Sequence, residues 1–114
     1  MNNLRKMAES RHHDYYLQVA QSANIEWQGA MNNLSQLRLA WQRLPEGDFR
    51  IKEWAKALDH FLDKRGLYIE YFDLMNRVEI QSIKENDLDG KVWVHNKLGG
   101  EYLHIGDLEK AIEY

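Results

Sequence analysis

The stretch Arg65-Gly66-Leu67-Tyr68-Ile69-Glu70-Tyr71-Phe72-Asp73-Leu74-Met75-Asn76 decides the fold, because it supports two readings. Local propensity stops a helix at Arg65-Gly66 and starts a strand, since glycine ends helices and Leu-Tyr-Ile-Glu-Tyr-Phe is β-prone. Spacing carries the helix through. Ile51, Trp54, Leu58, Phe61, Arg65, Tyr68, Phe72 and Met75 recur every three or four residues, which places them on one helical face. An interior glycine costs only about 1 kcal/mol, less than packing commonly returns. The spacing therefore predicts one helix over about 49–76.

Upstream, Leu44-Pro45-Glu46-Gly47-Asp48 is the clearest break in the chain. Proline cannot continue a helix, Gly47 permits a turn, and Asp48 suits an N-cap. Before it, Tyr16, Val19, Ala23, Trp27, Ala30, Leu34, Leu37, Trp41 and Leu44 keep the same three-and-four spacing without a proline. That predicts a long helix over about 3–43, antiparallel to the second, with Trp41 opposite Trp54 and Leu37 opposite Leu58. Its N-terminal part, Leu4 to Tyr16, overhangs its partner.

Downstream the pattern changes. Val78 to Lys84 partly alternates, Lys91-Val92-Trp93-Val94-His95 is rich in β-branched and aromatic side chains, and Glu101-Tyr102-Leu103-His104-Ile105 is a matching return strand. Asn96 to Gly100 reads as the hairpin loop. The expected fold is α+β: a helical hairpin, strands at about 78–84, 91–95 and 101–105, and a short helix at about 107–113. Residues 1–114 are expected to form one domain. No internal repeat, low-complexity tract or linker is visible.

Composition narrows the function classes. There is no cysteine, which removes disulfides and thiolate chemistry. Residues 1–44 carry five basic and three acidic side chains, residues 45–76 five and seven, and residues 77–114 five and eight. No segment is a basic stripe suited to nucleic acid. No apolar run approaches the ~18–20 residues of a membrane span. The N-terminus also lacks a signal-peptide core, so a cytoplasmic protein is expected.

No serine sits in a nucleophile elbow, and no glycine-rich phosphate loop is present. His12-His13-Asp14 is eye-catching, but adjacent helical residues diverge by about 100°, so the two histidines cannot share one ion. His12 and Tyr16, or Arg11 and Tyr15, are the neighbours there. On the expected hairpin His95 and His104 are cross-strand neighbours, and Trp93 faces outward if Val92 and Val94 face in. Glu85, Asp87, Asp89 and Gly90 resemble the start of a calcium loop, but Asn96 stands where such a loop needs glutamate.

These readings give no enzyme, no metal and no cofactor. They point to a protein-interaction module (an adaptor, inhibitor or assembly factor of bacterial or phage type) with another protein, or a second copy, as partner. Arg11, His12, Tyr15, Trp93, His95, Lys97 and His104 are the candidate partner-binding residues. The alternative is a nucleic-acid-associated regulator in which Lys91 and Lys97 flank a wing-like hairpin.

Overall fold

The computed structural model describes residues 2–23, 25–107, 110, 113 and 114. Among them the chain forms six helices and no strand: α1 (Asn2–Gln21), α2 (Trp27–Asn32), α3 (Leu34–Gln42), α4 (Arg50–Lys64), α5 (Tyr68–Lys84) and α6 (Leu88–His104). The fold is all-helical, and the α+β expectation is corrected.

Residues 66–76 obey neither reading whole. The helix does stop at Gly66, which takes a φ of +67°. The Gly66 N–H bonds the Asp63 carbonyl at 3.0 Å and the Leu67 N–H reaches the Leu62 carbonyl at 2.9 Å, closing the end of α4. The chain then enters a second helix, not a strand, and the single helix over 49–76 is replaced by α4 and α5. Tyr71, Leu74, Met75 and Val78 are the buried face of α5, a three-and-four spacing that a strand cannot present to one core.

The strands at 78–84, 91–95 and 101–105 are likewise helix. Two residues apart, Val92 and Val94 would share a strand face, yet Val92 is exposed and Val94 is fully buried. Gly90, Val94, Leu98 and Glu101 form the inward stripe of α6. Five alternating residues are too few to separate the two periods, and packing decided between them.

The long helix expected over 3–43 breaks twice. At Ser22 to Glu26 the chain turns, with Ile25 and Glu26 both donating to the Ser22 carbonyl. At Asn33 the side-chain amide takes the Gly29 carbonyl at 2.8 Å, competing with the helical ladder. The breaks let Ala20 of α1 and Ala23 of the turn after it join the same core as Leu37 and Trp41 of α3.

Polar contacts show the layout. Arg38 meets Glu70 at 3.4 Å and the Trp41 indole N–H donates to Asp73 at 2.8 Å, so α3 and α5 run parallel. Lys52 meets Asp87 at 2.7 Å and Lys97 meets Asp59 at 2.8 Å, so α4 and α6 run parallel as well. Two layers, α3 with α5 and α4 with α6, match the slab-like extents of 51 × 34 × 18 Å. Trp41 and Trp54 do meet, edge to face at 6.1 Å.

The backbone also carries a regularity invisible in the sequence. Gly66, Asn86 and Gly106, twenty residues apart, all take positive φ. Immediately after each, an N–H reaches back five residues: Leu67 to Leu62, Asp87 to Ser82 and Asp107 to Tyr102. Trp54, Leu74 and Val94 are buried at one helical position; Leu58, Val78 and Leu98 are buried at the next. The backbone repeats although the residue types do not. Asp107 accepts from the Lys110 N–H at 3.1 Å, as a cap would; the rest of the helix expected at 107–113 lies mostly outside the described residues. No described helix is long and apolar enough to cross a membrane.

Candidate functional site

Two regions carry features that packing alone does not use. The first is α1. Its C-terminal half enters the core, and its residues 3–11 are all exposed. Leu4, Met7, Arg11 and Tyr15 share one side by their spacing, and Leu4, Met7 and Tyr15 are each at least half exposed. Beyond Tyr15 the same side opens into a shallow cleft of about 290 Å³ with Val19, Ser22, Gly29 and Asn33.

The histidines of α1 divide. The His12 ring packs at a tilt against Tyr16, 4.7 Å between centroids. His13 is buried, and its Nε2 accepts the Trp54 indole N–H at 2.7 Å. That leaves Nδ1 to face Asp14 at 3.3 Å. His13 is therefore a core partner of Trp54.

The second region is a cleft of about 380 Å³ between the C-terminal ends of α4 and α6. Asp59, His60 and Asp63 enter from α4, and Lys97, Glu101 and His104 from α6. On each helix a histidine and a carboxylate stand three residues apart, which aims both at one side. Asp63, Glu101 and His104 bring ligand atoms within 4.8 Å of one another. Glu101 is only 5% exposed, and its Oε1 has no hydrogen-bond partner among the described residues. Burial, and then the neighbouring Asp63 carboxylate, push the Glu101 carboxyl up to about 7. Lys97 answers Asp59 instead. Tyr71 closes the floor, donating its hydroxyl to the Lys97 carbonyl at 3.2 Å, and burial raises its phenol.

The seven sequence candidates separate accordingly. Arg11, His12 and Tyr15 lie on α1. Lys97 and His104 line the α4–α6 cleft. His95 faces away, held to Glu79 at 2.9 Å. Trp93 is half-buried between the Lys56 and Lys97 ammonium groups, 5.6 and 5.8 Å from its ring. The cross-strand pair of His95 and His104 does not exist: nine residues apart on a helix, they point to opposite sides about 14 Å apart along the axis. The wing of the regulator reading is likewise part of α6. Asp63 and Glu101 were missed. On a strand Glu101 and His104 would face opposite ways; on a helix they converge.

No protein-family model, no characterised protein and no solved structure matches this chain.

Proposed function

We propose that the chain is a non-catalytic interaction module that binds another protein along α1, as an adaptor, inhibitor or assembly factor in the cytoplasm. One observation carries this reading: a helix anchored in the core by its second half leaves Leu4, Met7 and Tyr15 uncovered on one side of its length. Exposed apolar residues scattered singly need no explanation, but a helical stripe that runs into a cleft is the shape taken by helix-mediated recognition. Arg11 within the stripe supplies a charge that would orient an acidic group of the partner.

A photo-reactive amino acid in place of Met7 tests it, with the same group at exposed Glu85 as control. A discrete adduct from position 7 and none from 85, lost when Leu4 becomes Asp, is the expected result. No adduct at position 7, together with a monomer in sedimentation, would remove the reading.

A further inference from the structure

The α4–α6 cleft is separate from the α1 surface and has its own chemistry. Glu101 is a nearly buried carboxylate with an oxygen that meets no donor. Such a group is costly unless a proton or a cation completes it. The candidate within the protein is Lys97, and its ammonium is 2.8 Å from Asp59. Among the described residues, the cleft therefore holds the carboxylates of Asp63 and Glu101 with no lysine or arginine paired to either.

Geometry says what would fit. Three atoms mutually within 4.8 Å lie within about 2.8 Å of a common point, whereas bonds from a transition metal to carboxylate oxygen or imidazole nitrogen are about 2.0–2.2 Å. Side-chain movements under about 1 Å close that gap. Glu101 and His104 come from one turn of α6, and Asp63 from the last turn of α4. The imidazole argues for a transition metal, because calcium and magnesium take oxygen ligands.

We propose that Asp63, Glu101 and His104 form a binding site for a divalent transition-metal ion of the zinc or manganese class. The ion clasps the end of α4 to the end of α6, and its remaining coordination positions face the cleft beside His60.

The test uses the full chain stripped of metal, titrated calorimetrically with zinc alone and with manganese alone. One ion per chain is expected, with a rise in thermal midpoint because the ion binds the folded state. Glu101→Gln, nearly isosteric and so expected to fold, and His104→Ala, at an exposed position, should each weaken binding roughly tenfold or more. His12→Ala, on α1, should leave it unchanged. Absence of binding at millimolar zinc and manganese would overturn the proposal. So would affinity unaltered in both cleft variants, or reduced equally by His12→Ala.

Discussion

Trp54 is fully buried and has one polar atom, the indole N–H, which donates to His13. A leucine at position 13 would fill comparable space and offer no acceptor. Leaving that N–H unpaired costs about 1–3 kcal/mol. His13→Leu should therefore lower the thermal midpoint by several degrees, while His13→Gln, which retains an acceptor, should lose less; equal losses would count against the hydrogen bond. Asp48 works differently. Its carboxylate accepts from the Arg50 N–H at 2.9 Å and pairs with the Arg50 guanidinium at 2.8 Å. The Arg50 side-chain bond, opposed by burial, holds its carboxyl below the usual 3.8. Folding thus favours the ionised form. The stabilisation is present above 3.8 and lost as pH falls through the lower folded value. Asp48→Asn should melt a few degrees below the parent at pH 7, and thermal scans should show the gap narrowing below that pH window.

At the scale of elements, α6 offers the same substitution with opposite consequences. A methyl at Gly90 would stand 2.5 Å from both the Ser82 hydroxyl and the Asp87 carboxylate. Ser82 is fully buried, and Asp87 is held by the Gly90 N–H and by Lys52, so neither yields freely. At Gly100 a methyl meets nothing within 4 Å. Alanine is the better helix former by about 1 kcal/mol. Denaturant titration should find Gly100→Ala stabilised by about that amount and Gly90→Ala destabilised; a stabilised Gly90→Ala would refute the close approach of α5 and α6. Glycine and proline also explain what could be read beforehand. Pro45 marks a chain break by backbone chemistry, so that turn was legible; Gly66 also ends a helix, at a positive φ, as propensity suggested although the three-and-four spacing carried the helix through. The identity of the element between two breaks was not legible. Val92 and Val94 favour a strand locally, and only the neighbouring α4 and α5 select the helical stripe of Gly90, Val94 and Leu98. The metal-ligand geometry was hidden by the same error, since Glu101 and His104 converge only if α6 is a helix. Asn33 broke the first long helix through a side-chain bond that residue spacing does not register.

For the whole molecule, the layered arrangement makes stability directional. α4 packs against α1 on one side and α5 on the other, and its Trp54, Ala55, Leu58, Phe61 and Leu62 are all buried. α6 rests chiefly on α5. In stacked helical architectures each layer depends mainly on its neighbours, so the outer element opens first. Truncating a buried leucine costs about 2–5 kcal/mol wherever it sits, but the reach of the loss should differ. Leu58→Ala should lower hydrogen-exchange protection in every helix, because α4 joins both sides. Leu98→Ala should lower it in α6 while α3 and α4 stay protected. Uniform loss in both variants would mean that the slab unfolds as one unit. Zinc adds a further arm to the same measurement. An ion held by Asp63, Glu101 and His104 ties the outer helix to the central one, so it should slow exchange in α6 above all. Slowing confined to α1 would count against the α4–α6 cleft as the ion's site.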